Sequence, residues 1–85
     1  MQEKSEHCYE LSAIQSKMAR AATGLGIRDL AKRAGVSPDT IARLERGEEL
    51  KSSTAEAIRT ALEAAGVEFI AENGGGVGVR LRKKE

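Results

Sequence analysis

The segment that most restricts the fold is residues 27–46, IRDLAKRAGVSPDTIARLER, where a glycine separates two short helical patterns. Gly35 ends the first pattern, and glycine most readily takes the positive φ of a tight turn. Ser37 and Pro38 form a strong helix start, because serine caps an N-terminus and proline loses no hydrogen bond at the first helical position. The sequence therefore predicts helices over residues 27–34 and 38–46, joined by a turn.

The side chains of this segment also predict how the two helices pack. Ala31 falls where two steeply crossing helices approach closely, which requires a small residue. Leu30, Val36, Ile41 and Leu44 are the predicted core, and they fix the angle of the second helix. A nine-residue helix is about 14 Å long, and a DNA major groove about 12 Å wide admits it. Such a pair can leave the N-terminal half of its second helix exposed.

Two further helices and a pair of strands are predicted around this pair. Ser12 and Gln15 have capping-box spacing and predict a first helix over residues 11–23. Its apolar face is predicted from four residues at helical spacing: Ile14, Met18, Ala21 and Ala22. Ser53 and Glu56 predict a fourth helix over residues 53–65 in the same way. After Gly66 the apolar spacing changes from about 3.6 residues to about 2, which predicts two strands joined by a glycine-rich turn.

Composition limits the class of protein. The 85 residues are enough for one small domain, and a single cysteine allows no internal disulfide, which favours a reducing compartment. His7 and Cys8 provide two ligands where a structural zinc site needs four, so no metal or cofactor is expected. No apolar run approaches the roughly 20 residues of a membrane span, and the first residues lack the apolar stretch of a signal peptide. We therefore expect a cytoplasmic protein with no membrane partner.

Nucleotide binding and catalysis are both disfavoured. Gly74, Gly76 and Gly78 form a GxGxG pattern, but a phosphate-binding loop needs a helix after it and a strand is predicted here. The single histidine lies among the first ten residues, and no serine stands beside a base. The chain is therefore not expected to be an enzyme.

Charge is unevenly distributed, although the net charge is only +1. Residues 11–47 hold seven basic and three acidic groups, whereas residues 48–73 hold two basic and six acidic groups. The last twelve residues, 74–85, are again basic, with four basic groups and one acidic group. This asymmetry is typical of a protein with one surface that faces a polyanion.

The stretch LAKRAGVSPDTIARLERGE, residues 30–48, resembles the helix-turn-helix of the lambda-repressor-like family, also called Cro/cI or XRE-type regulators. The resemblance covers about residues 11–65 and implies a mainly α fold, a four-helix lambda-repressor-like helix-turn-helix domain with a C-terminal β-hairpin. The VEF…NGGG…VRL tail is similar to one in small bacterial regulators of this family. We expect a flexible N-terminal segment over 1–10, the helix-turn-helix domain over 11–66, and the hairpin with a basic tail over 67–85.

The resemblance implies that the protein regulates transcription and that its helix over residues 38–46 enters the major groove of double-stranded DNA. Pro38, Asp39, Ala42 and Arg43 take the base-reading positions, and Ser37, Thr40 and Arg46 face phosphates. The predicted DNA-binding residues are Arg28, Lys32, Ser37, Pro38, Asp39, Thr40, Arg43 and Arg46.

Arg43 is the strongest candidate for a specific contact, because a guanidinium can donate two hydrogen bonds to guanine O6 and N7. An ion pair with Asp39, four residues earlier, is the alternative for this side chain. Many family members open their second helix with serine and then glutamine, whereas this chain has Gly26 and Ile27. Arg28 or Lys32 would then supply the phosphate contact.

The C-terminal hairpin is predicted to hold two copies together, because an open strand edge invites a second strand. The apolar residues assigned to this dimerisation surface are Val67, Phe69, Val77, Val79 and Leu81. The alternative is a hairpin that only covers the core of a monomer. A second function also stays open: a protein-binding anti-regulator or antitoxin-like module that uses the hairpin or the acidic fourth helix. Two departures from the family favour that alternative: Ile27, and Pro38, which stands where many relatives carry a hydrogen-bonding residue.

Overall fold

A computed structural model describes residues 11–82, four helices followed by two strands. These are α1 (Ala13–Thr23), α2 (Ile27–Ala34), α3 (Pro38–Glu45), α4 (Ser52–Ala64), β1 (Val67–Ile70) and β2 (Gly78–Leu81). This order confirms the predicted fold class. The segment over 1–10 that was predicted to be flexible, with His7 and Cys8, lies outside the described residues, as do residues 83–85.

Local capping accounts for the ends of the first three helices. The capping box of α1 is confirmed, because Ser12 Oγ accepts from the Gln15 N–H at 3.1 Å and Gln15 Oε1 accepts from the Ser12 N–H at 3.3 Å. Ser37 Oγ accepts from the Thr40 N–H at 3.1 Å at the start of α3. Gly35 ends α2 with a φ of 73°, in the left-handed region that favours glycine.

The start of α4 differs from the prediction. The helix begins at Ser52, after Lys51, whose side chain makes no capping hydrogen bond. The predicted capping box of Ser53 and Glu56 is therefore wrong. Ser53 already lies inside the helix, whereas a capping residue needs the extended backbone that precedes the first turn.

The core forms where α2 packs on α3 and α4. Its most deeply buried apolar side chains, each at most 1% exposed, are Ala19, Leu30, Ala31, Ile41, Ile58, Leu62 and Val67. Leu44 is 5% exposed and Val36 packs against the cluster from its edge. The predicted core of the helix pair is thus confirmed, and α3 is anchored along its inner face.

α1 buries a different face from the one predicted. Ile14 is 54% exposed, and Ala21 and Ala22 are exposed as well, so the predicted apolar face of this helix is wrong. The buried residues of α1 are Gln15, Ser16 and Ala19. Two of these are polar, and their burial costs little free energy because each has hydrogen-bond partners inside the protein.

The two strands form an antiparallel hairpin that packs on α1 and α4. Val67 pairs with Leu81 and Phe69 with Val79, so these four side chains share one face of the hairpin. Gln15 Nε2 donates to the carbonyls of Ile70, at 3.3 Å, and Gly78, at 3.1 Å. This one side chain joins the start of α1 to the end of the hairpin next to its turn.

Candidate nucleic-acid interface

The outer face of α3 is exposed because the inner face holds the helix in the core. Ser37, Pro38 and Asp39 are exposed, and Thr40 is half-buried. The hydroxyls of Ser37 and Thr40 lie 2.9 Å apart in a hydrogen bond at the helix start. The first turn therefore presents two hydroxyls, a carboxylate and a proline ring, of which only the proline is restricted to apolar contact.

Two arginines extend this surface from the middle of α3 to its end. The side chain of Arg43 is 42% exposed and that of Arg46 is 57% exposed. Arg43 Nε donates to Glu48 Oε1 at 3.1 Å, and Arg46 Nη2 donates to Glu48 Oε2 at 2.9 Å. Arg43 thus pairs with Glu48, not with Asp39. The hydrogen bonds from Arg46 and Arg43 lower the pKa of Glu48, so this carboxylate is charged at neutral pH.

The end of α3 explains why Glu48 reaches back to this helix. Gly47 has a φ of 94°, and its N–H donates to the Leu44 carbonyl at 2.9 Å. The Glu48 N–H then donates to the Arg43 carbonyl at 3.0 Å. These two bonds form a Schellman motif, which folds the chain back over the last turn of the helix. The turn therefore brings the Glu48 side chain beside Arg43 and Arg46.

α2 packs on α3 and adds positive charge beside it. Arg28, Lys32 and Arg33 are all exposed. Within residues 11–82, Arg28 and Lys32 make no ion pair, so their charges are available to an anionic ligand. The sequence-predicted DNA-binding residues thus lie on α2, on α3 and at their ends.

A second arginine–glutamate pair lies on the inner face of α3. Glu45, 8% exposed, accepts from Arg20 Nε at 2.9 Å, from Arg20 Nη2 at 2.7 Å and from Ser16 Oγ at 2.7 Å. Burial alone raises the pKa of Glu45, but the hydrogen bonds from Arg20 and Ser16 outweigh it and leave that pKa lowered. The pair fixes α3 against α1 and hence sets the orientation of the outer face.

Neither glutamate was predicted as part of the site. A sequence signal existed for Glu48, because a glycine after a helix predicts a Schellman motif that returns the next residue to the last turn. For Glu45 no local signal exists, since Arg20 and Ser16 are 25 and 29 residues away along the chain.

The five hairpin residues assigned to a dimer surface differ widely in exposure. Val67 is 1% exposed and enclosed by its own chain, so its side chain offers no surface to a second copy. Phe69 and Val79 are half-buried against the core. Val77, at 40%, and Leu81, at 53%, are the two exposed residues of the five.

Two other kinds of site are absent from the part of the chain that the structure describes. No helix there combines the length and the apolar character needed to cross a membrane. Likewise, residues 11–82 bring together no group of three or more potential metal ligands.

Two short packed helices, the glycine turn between them and the exposed outer face of the second helix define a helix-turn-helix protein. A family model for a helix-turn-helix domain matches residues 16–69, from within α1 to within β1. The chain therefore belongs to this family, of the XRE or lambda-repressor-like type, as its sequence predicted. No curated protein matches the chain.

Proposed function

We propose that this chain is a sequence-specific transcriptional regulator that inserts α3 into the major groove of double-stranded DNA, as a dimer, in the cytoplasm. The family supports DNA as the partner. The observation that carries the proposal is the outer face of α3, where exposed hydrogen-bonding groups stand on a helix held rigidly from behind by Ile41, Leu44 and Glu45. A rigid helix can present side chains to base edges without losing much entropy on binding.

The charges beside α3 support contacts to the DNA backbone. Arg28 and Lys32 are exposed on the neighbouring helix and carry no ion pair within the described residues. In this proposal they supply the phosphate contact that many relatives make with a glutamine at the start of this helix, where this chain has Ile27. Changing both to alanine is expected to weaken binding to all sequences alike and to reduce the slope of log affinity against log salt by about 2, one for each phosphate contact.

Selection from a random DNA library at two salt concentrations tests the proposed function directly. A regulator of this kind should enrich a short motif at both concentrations, with two half-sites about 34 Å apart if it binds as a dimer. An Arg28→Ala and Lys32→Ala variant is the control for backbone contact. Enrichment of no motif at low salt would contradict DNA reading and favour the protein-binding alternative.

The dimer is proposed to form through the hairpin. The apolar face of the hairpin continues beyond the buried Val67 and the half-buried Val79 to the exposed Leu81. In the described two-stranded sheet each strand pairs on one edge only, so the other edge of each strand has backbone donors and acceptors outside the ladder. Pairing of that edge with its copy about a two-fold axis would fix the spacing of two α3 helices.

Point variants test this dimer better than deletion of residues 67–85, because deletion would remove Val67 from the core. Leu81→Asp is expected to halve the mass measured by light scattering at tens of micromolar protein. Arg80→Ala is the matched control, since Arg80 lies on the opposite face of the same strand in an exposed ion pair with Glu68. A wild-type protein that is monomeric at this concentration, or a dimeric Leu81→Asp variant, would rule out the hairpin interface.

A further inference from the structure

Glu48 holds both arginines of the outer face of α3. One carboxylate oxygen accepts from Arg43 Nε at 3.1 Å and the other from Arg46 Nη2 at 2.9 Å. The backbone of Glu48 is also fixed, by its 3.0 Å hydrogen bond to the Arg43 carbonyl. The carboxylate therefore sits on a defined backbone next to the proposed base-reading side chain.

This contact leaves the outer edge of the Arg43 guanidinium free. A guanidinium has five N–H donors, and Arg43 uses only the one on Nε within the described residues. A bidentate contact with guanine O6 and N7 needs two adjacent donors. Nη1 and Nη2 can provide them while Nε stays bound to Glu48, so Arg43 can bind Glu48 and a guanine at the same time.

Glu48 also offsets part of the positive charge of this surface. Attraction between arginine and phosphate does not depend on sequence, and it falls when a carboxylate lies beside the arginine. The two effects of Glu48 differ in kind. Orientation of Arg43 favours the correct base, whereas the negative charge weakens binding to DNA of every sequence and leaves affinity more dependent on the base contact.

We propose that Glu48 is a positioning residue that sets the sequence specificity of this surface by orienting Arg43 toward a guanine, while its charge weakens binding to DNA of any sequence. The inference rests on the DNA-binding function proposed above. An arginine already held in one orientation loses less conformational entropy when it contacts the base.

Glu48→Ala and Glu49→Ala form a matched pair for the test. Glu49 is the next residue, is exposed, and makes no side-chain hydrogen bond or ion pair within residues 11–82. Each variant removes one negative charge from the same loop, so only the contacts to Arg43 and Arg46 differ. Equal melting temperatures for the wild type and both variants establish that the fold is retained.

Affinity is measured for the selected site and for the same site with the guanine replaced. A bidentate arginine–guanine contact gives a discrimination of about 5- to 150-fold. We expect Glu49→Ala to bind both DNAs more tightly with unchanged discrimination. Glu48→Ala should bind the altered site more tightly and lose at least about threefold in discrimination, because Arg43 is no longer oriented. Equal discrimination in the two variants would overturn the role of Glu48 and leave the proposed function intact.

A measurement without DNA tests the orientation of Arg43 independently. The ¹⁵N–¹H heteronuclear NOE of Arg43 Nε should be high in the wild type and in Glu49→Ala, and should fall in Glu48→Ala to the value of Arg28. Equal values in all three proteins would overturn the proposal. Failure of the wild type to select any sequence would instead contradict the proposed function itself, and the role of Glu48 with it.

Discussion

Glu45 and Glu48 are three positions apart, and each accepts hydrogen bonds from arginine, yet their surroundings are opposite. Glu45 is 8% exposed and joins α3 to α1, through Arg20 and Ser16. The side chain of Glu48 is 46% exposed and, within residues 11–82, accepts only from Arg43 and Arg46 near the end of α3. The same kind of ion pair holds the fold together on one face of α3 and organises a surface on the other.

The difference in burial decides what each pair can do. A buried charge that loses its partner cannot turn to water, so the protein is strongly destabilised. An exposed pair contributes little to stability and is screened by salt. The arginines of the outer face can therefore contact DNA at little cost to the fold, whereas Arg20 cannot leave Glu45.

The largest expected effect comes from removing an arginine on the inner face. Arg20→Met leaves the Glu45 carboxylate buried with Ser16 as its hydrogen-bond donor, and should lower the free energy of unfolding by about 3 kcal/mol. Arg46→Met makes the same chemical change on the outer face and should leave the free energy of unfolding nearly unchanged. Urea denaturation of both variants checks the comparison. Similar losses of unfolding free energy in the two variants would show that burial does not make the Arg20–Glu45 pair more important for stability than the pairs of Glu48.

A smaller change in stability is expected at α1, which buries the polar Gln15 and exposes the apolar Ile14. Gln15→Ala removes its hydrogen bonds to Ser12, Ile70 and Gly78 and should lower the free energy of unfolding by about 1–3 kcal/mol. Ile14→Ala, on the neighbouring exposed position, should change it by no more than about 0.5 kcal/mol. Thermal unfolding at low protein concentration measures both. A greater loss of unfolding free energy for Ile14→Ala than for Gln15→Ala would favour the apolar face of α1 that the sequence predicted.

The smallest effect is on the pH dependence of stability. The pKa of Glu45 is lowered in the folded protein from its ordinary 4.5, so the unfolded chain binds more protons below that pH. The stabilisation is fully present above pH 4.5 and is lost as the pH falls through the lower, folded value. The free energy of unfolding, measured by denaturation at several pH values across this range, should depend less on pH for Glu45→Gln than for the wild type. Glu48→Gln should differ less from the wild type, and 1 M salt should remove that difference. An equal loss of pH dependence in both variants would contradict the assignment of this effect to the buried Glu45.

The helix-turn-helix could be predicted because its signals are local. Gly35 ends α2 and Ser37 with Pro38 starts α3, each acting on residues within one turn of itself. The core residues Ile41 and Leu44 follow from helical spacing alone. The family resemblance then named the exposed residues around them, whose contacts with DNA stay predictions.

The contacts that orient this motif could not be predicted, because they join polar residues far apart along the chain. Gln15 looked like a capping residue only, yet it also binds carbonyls 55 and 63 residues away. Ser16 gave no sign of its hydrogen bond to Glu45. Hydropathy patterns assign polar side chains to the solvent, so they fail where a distant partner satisfies the buried group.

A double-mutant cycle between Arg43 and the guanine of the selected site tests the central claim most directly. Affinities are measured for the wild type and Arg43→Ala, each with the selected DNA and with the guanine replaced. If Arg43 reads this base, each single change should cost about 1–3 kcal/mol, and the two together should cost no more than either alone. Strictly additive losses would contradict a direct contact and leave the outer face of α3 without its proposed role.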